Sequence, residues 1–84
     1  MRVGTQFSDT LAGGATHKWF THSWPADWHV VWTVVPTTAG PGAAQIEWQV
    51  EVQRSTTTNL TYWLTIHNLS AAAVGFEARF EVLN

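Results

Sequence analysis

Between residues 45 and 54 the chain alternates with a period of two: Ile46, Trp48, Val50 and Val52 fall on one face, Gln45, Glu47, Gln49, Glu51 and Gln53 on the other. Successive side chains of an extended strand point to opposite sides, so this segment predicts a half-buried β-strand with one dry and one wet face. The last segment repeats the pattern, setting Val74, Phe76, Ala78, Phe80 and Val82 against Glu77, Arg79 and Glu81. Two other segments differ in their second face. Trp28, Val30, Trp32 and Val34 form an apolar row, yet the opposite positions, His29, Val31, Thr33 and Val35, are nearly as apolar. Leu60, Tyr62, Leu64 and Ile66 form a core row and leave Thr61, Trp63, Thr65 and His67 behind it. A strand without a properly polar face is expected to be covered on both sides.

Turn-forming residues punctuate these rows at Gly13-Gly14, Trp24 to Asp27, Pro36 to Gly42, Ser55 to Asn59 and Asn68 to Ala73. Strands are therefore predicted at 3–11, 16–22, 28–35, 45–54, 59–67 and 74–83. Without helical stretches to make βαβ crossovers, the expected fold class is all-β, a small antiparallel β-sandwich. The short strands, the Asn68-Leu69-Ser70 turn and the alternating final strand give an outline that resembles immunoglobulin-like sandwich modules. The Cys–Trp–Cys signature of a true immunoglobulin domain is missing, so the resemblance implies a shape and no site residues. Strand parity puts Trp32, Trp48, Tyr62, Leu64, Ile66, Phe76 and Phe80 in the core. On that reading Trp48→Ala is expected to cost ~3–5 kcal/mol.

Size and composition narrow the picture. A chain of 84 residues supports one core, hence one domain over 1–84. With no cysteine there is no disulfide or thiolate cage, and burial of apolar groups, six tryptophans among them, must supply the stability. Only 12% of residues are charged, so part of the outer surface is neutral or apolar, the first sign of a partner. Arg2, Lys18, Arg54 and Arg79 are scattered in a chain of net charge −2, which gives no footprint for a nucleic acid. The near-apolar run Val30 to Pro36 is far below membrane-spanning length, and no membrane insertion is expected.

Catalytic patterns are weak. Glu47, Glu51, Glu77 and Glu81 alternate with glutamine or arginine, as solvation of a strand's wet face requires, so they do not read as a hydrolytic carboxylate pair. His17, His22, His29 and His67 supply no two ligands on one face of one strand, and no metal or other cofactor is expected. No serine or threonine sits in a nucleophile-elbow context, and Gly13-Gly14 lacks the spacing of a phosphate loop. The expectation is a protein that is not an enzyme.

The most unusual stretch runs from His22 to His29, with Trp24 and Trp28 around Pro25 and Asp27. An indole in a proline-bearing loop can stack on the apolar C–H face of a sugar while short polar side chains take its hydroxyls. Alternatively Trp24 folds over the open end of the sandwich as a plug, and Trp28 begins a core strand. The first alternative names Trp24, His22, Asp27, His29, Trp63 and His67 as ligand-binding residues of a carbohydrate-binding, lectin-like module with a glycan partner. The second makes the outward aromatics protein contacts of a structural module that self-associates. A homo-oligomer is expected in either case, joined through the outer faces of the third and fifth strands. A competing arrangement folds the N-terminal segment, through Phe7 and Leu11, over that same face within one chain.

Overall fold

A computed structural model describes residues 1–84. Six strands form: β1 (Arg2–Leu11), β2 (Thr16–Pro25), β3 (Val30–Pro36), β4 (Ile46–Arg54), β5 (Asn59–Asn68) and β6 (Val74–Val82). They make two three-stranded antiparallel sheets, ordered β1-β6-β3 and β2-β5-β4. The all-β sandwich expected from the alternation is the fold observed. Among consecutive strands only β4 and β5 pair as a hairpin; every other connection passes from one sheet to the other. The order thus departs from the immunoglobulin pattern, in which several sequential strands are neighbours.

Parity explains most of the core. β6 turns Val74, Phe76, Ala78 and Val82 inward, β5 turns Tyr62, Leu64 and Ile66, and β3 turns Trp32 and Val34; all are buried. Phe80 and Trp28 are half-buried against the same cluster. β1 is a full strand of the first sheet, and its Phe7 and Leu11 pack into this interior instead of covering an outer face.

Two bulges change the parity of the strands that carry them. Thr5 pairs with Arg79 but Phe7 with Ala78, so Gln6 is an extra residue in β1. In β2, Thr21 pairs with Tyr62 and Trp24 with Leu60, so His22 and Ser23 together oppose Thr61. Ser23 has a φ of 67°, the left-handed conformation that a bulge of this kind exploits. Upstream of the bulge the inward residues are odd-numbered, Trp19 and Thr21; downstream it is Trp24 that turns in. The Trp24 indole donates to Thr21 Oγ1 at 3.1 Å, and the same oxygen accepts from Gln6 Nε2 at 3.1 Å, so each bulge contributes one donor to a shared acceptor.

Trp48 corrects the sequence-based core. Its register with Ile66 puts it on the inward face, as do Val50 with Leu64 and Val52 with Tyr62. Yet Trp48 is 40% exposed, Val50 38% and Val52 61%. β4 is the edge strand of its sheet, and the facing edge strand β3 is two residues shorter, seven against nine. In two narrow twisted sheets the outer strands diverge, and the inward face of β4 is left uncovered. Truncating Trp48 in the single chain accordingly costs less than the core value expected from parity.

The two sheets are joined at one end by Asn68, whose side chain is fully buried. Its Nδ2 donates to the carbonyls of Leu11, Ala12 and Ala72 at 3.1, 3.2 and 2.8 Å. Its Oδ1 accepts from the Ser70 N–H at 2.9 Å and the Ser70 hydroxyl at 2.8 Å. Asn68→Ala should cost about 3 kcal/mol or more, because it strands several buried polar groups at once. Asn68→Asp should be at least as damaging, since a carboxylate faces three carbonyl oxygens; urea denaturation of the three proteins measures both, and parent-like midpoints would show the staple to be dispensable.

Burial also pushes the Tyr62 phenol above its ordinary value. A raised native pKa means that the unfolded chain loses this proton first. The contribution is therefore intact below the unfolded pKa of about 10 and declines as pH rises from there towards the native value. Tyr62 is the only tyrosine. Phenolate absorbance during an alkaline titration should report a transition above 10, and Tyr62→Phe should flatten the loss of melting temperature over that alkaline range.

Candidate functional site

The residues proposed from sequence do not form one site. Trp24 is 7% exposed and packs edge-on against Trp32 and Phe80, with ring centroids 5.4 and 5.2 Å away; Trp28 and Tyr62 lie at 6.2 Å. It is the plug and not the platform: the bulge at His22-Ser23 turns its indole inward, where Thr21 satisfies its N–H. Asp27 and His29 sit in the β2–β3 loop, fastened to the C-terminus by Asn84. The Asn84 side chain donates to the Asp27 carbonyl at 3.0 Å and accepts from the His29 N–H at 2.9 Å. His67 lies at the opposite end of β5 from that loop and pairs with Glu47 at 3.1 Å. His22 is exposed on the β2 bulge, its Nδ1 2.9 Å from Ser23 Oγ.

Nor do the outer faces of the third and fifth strands make one patch. β3 belongs to the first sheet and β5 to the second, so Val31, Thr33 and Val35 face away from one side of the sandwich while Thr61, Trp63, Thr65 and His67 face away from the other. No one surface patch can contain both. His29, in the loop before β3, and His67, near the far end of β5, do not meet either.

One predicted residue, Trp63, does lie at the centre of a coherent surface. The pairings of β2, β5 and β4 arrange the outer face of the second sheet in rungs: Thr16–His67–Glu47, Lys18–Thr65–Gln49 and Phe20–Trp63–Glu51. Phe20 and Trp63 lie side by side, centroids 5.2 Å apart and planes inclined by 37°, and Phe20 is 59% exposed. Lys18 Nζ lies over the indole of Trp63, 5.4 Å from its centroid, and 3.0 Å from Glu51 Oε1, so the ion pair sits on one side of the ring. Both partners are half exposed, so the pair adds little stability and remains available to other hydrogen-bonding groups. On the other flank the His22 ring lies 6.2 Å from Phe20.

Sequence reasoning missed Phe20, Lys18 and Glu51. The signal was present: Phe20 is the outward aromatic of β2, as Trp63 is of β5. What the chain could not display is that these two strands are neighbours in a register that sets the rings abreast. Chemically the surface offers a shallow strip of two tilted aromatic rings with a polar rim. It holds no cluster of three metal-ligating side chains, and the carboxylate nearest to it, Glu51, is half exposed and ion-paired.

Comparisons with protein-family models, curated proteins and solved structures find no match to this chain. The geometry carries the interpretation alone.

The two tryptophans should therefore behave oppositely. Trp24→Ala should destabilise the fold by ~3–5 kcal/mol, by loss of a core indole and its hydrogen bond. Trp63→Ala should cost clearly less, because its indole packs against Phe20 and Lys18 on a solvent-facing sheet. Thermal or chemical denaturation decides, and equal losses would contradict this division between plug and surface.

Proposed function

We propose that this protein is a non-catalytic carbohydrate-binding module and that the Phe20–Trp63 strip on the outer face of the second sheet is its ligand platform. The supporting observation is the pairing of two aromatic side chains abreast on an open sheet face with hydrogen-bonding groups at their margins. Sugar rings present apolar C–H faces that stack on aromatic π-surfaces, and their equatorial hydroxyls project sideways towards polar groups. Here Lys18 and Glu51 occupy one margin and His22 the other, so a pyranose lying on Trp63 or Phe20 meets donors and acceptors at its edge. The face is shallow, which suits an extended polysaccharide chain more than a small sugar enclosed on all sides.

This reading transfers the ligand role from Trp24 to Phe20 while keeping Trp63 and His22. A second reading, an assembly module that self-associates and contacts proteins, draws on the uncovered apolar row of β4.

The test is a panel of soluble polysaccharides and oligosaccharides followed by affinity electrophoresis and tryptophan fluorescence. A binding glycan should be retained by the parent protein and weakened about tenfold or more by Phe20→Ala, equivalent to roughly 1.4 kcal/mol. Because Phe20 is largely exposed, its melting temperature should stay within a few degrees of the parent. Absence of binding across the panel, or binding indifferent to both Phe20→Ala and Trp63→Ala, would remove the platform.

A further inference from the structure

The sandwich has four edge strands, β1 and β3 in one sheet and β2 and β4 in the other. An exposed edge is a template for another strand, and proteins blunt such edges with bulges, prolines, charges or short length. Three of the four edges are blunted in this way. β1 is interrupted by the bulge at Gln6, β2 by the bulge at His22-Ser23 and by Pro25, and β3 has seven residues and ends in Pro36. β4 has no bulge, proline or shortening: its nine residues run in unbroken register with β5, and its charges are Glu47 and Glu51 on the outer face and Arg54 at its end.

The direction of its backbone groups follows from the bonds at its two ends. The Leu69 N–H donates to the Gln45 carbonyl at 2.8 Å and the Ser55 N–H to the Asn59 carbonyl at 3.1 Å. Odd-numbered residues of β4 thus address β5, and since bonding direction alternates along a strand, the N–H and C=O groups of Ile46, Trp48, Val50, Val52 and Arg54 address the free edge. The same even-numbered residues include the uncovered apolar row, Trp48, Val50 and Val52.

We propose that β4 is the interface to a second copy of this chain, joined as an antiparallel β4–β4 pair with Val50 on the two-fold axis. This register pairs the whole strand, since Ile46 and Arg54 are equidistant from Val50. It sets Val50 against its own copy and Trp48 against Val52 of the other chain, covering the apolar row. It also resolves the wet face. With Val50 central, Glu47 opposes Gln53 and Gln49 opposes Glu51, so every carboxylate meets a carboxamide that can donate to it. Shifting the axis by one residue to Gln49 would oppose Glu47 with Glu51, and shifting it to Glu51 would oppose that residue with itself; like charges directly opposite are unfavourable. The alternation of Glu and Gln along β4 is therefore complementary to itself in the register that also gives complete overlap. A two-fold, self-complementary contact of this kind closes as a dimer.

The interface uses the edge of β4 and both faces of that strand, and it shares Glu51 with the margin of the carbohydrate platform while leaving Phe20 and Trp63 outside the contact. Its test is the mass of the full chain in solution by sedimentation or light scattering, from low micromolar to several hundred micromolar. The parent should dimerise. Gln49→Lys, which brings a cation opposite Glu51 of the other copy, should tighten the dimer, and Gln49→Glu should weaken it, each by about threefold or more through the two symmetry-related pairs. The chain contains no cysteine, so single thiols report the register. A short bifunctional thiol reagent should link Val50→Cys covalently, because directly opposed residues of a hydrogen-bonded antiparallel pair lie about 5.5 Å apart between Cα atoms. Val52→Cys, which opposes Trp48, should link far more slowly. A parent that stays monomeric throughout the range overturns the proposal, as does a dimer whose affinity ignores both Gln49 substitutions or in which Val52→Cys links as fast as Val50→Cys.

Discussion

The arrangement depends on a single buried carboxamide. Because only one connection is a hairpin within a sheet, the two sheets are held together by their core and by the turns that pass between them. Asn68 ends β5 in one sheet and, through Nδ2, binds the carbonyls of Leu11 at the end of β1 in the other, Ala12 in the β1–β2 turn and Ala72 in the β5–β6 turn. Its backbone N–H meets Ala15 where β2 begins. Four chain segments thus converge on one residue, three of them on a side chain that has no access to water, where a lost hydrogen bond has no solvent replacement. The approach is so close that a Cβ on Gly13 would lie 2.1 Å from the Ala71 carbonyl oxygen, which accounts for glycine there.

Aromatic packing fills the rest of the interior in two groups. Near the β2–β3 loop, Trp24, Trp28, Trp32, Tyr62 and Phe80 meet mostly edge to face; towards the other end, Phe7, Trp19 and Phe76 do the same. Both groups need the bulges, which rotate Phe7 and Trp24 inward against the simple alternation of their strands. With those rings inside, Phe20 and Trp63 remain as the aromatic pair of an outer face. Core packing and an exposed aromatic face are thus two results of the same strand geometry.

The outer face of the second sheet and the edge of β4 are adjacent and have Glu51 in common. Pairing through β4 would continue the second sheet of one copy into that of the other, setting two Phe20–Trp63 strips on one six-stranded face. Neighbouring strands lie about 4.8 Å apart, so the two β5 strands would be separated by about 14 Å. An extended polymer could then engage both strips, and linked weak sites gain avidity without any new contact.

The alternation of apolar and polar residues was enough to establish an all-β sandwich, the places of its strands and the inward rows of β3, β5 and β6, because side-chain direction in a regular strand is a local property of the backbone. Trp32, Tyr62, Leu64, Ile66 and Phe76 are buried as their parity requires. Trp24 escaped that rule because a bulge inserts one residue and inverts the faces beyond it, and neither Ser23 nor Gln6 announces this locally. Trp48 has the inward parity but not the burial, since burial also requires a strand opposite, and which strand ends at an edge is decided by pairing between distant segments. The same holds for the sites: Phe20 and Trp63 are 43 residues apart in sequence and become neighbours only through the β2–β5 register. The sequence determines which face of each strand is dry; tertiary pairing decides which faces meet, because hydrogen-bonded strand order is a long-range property that a period of two does not encode.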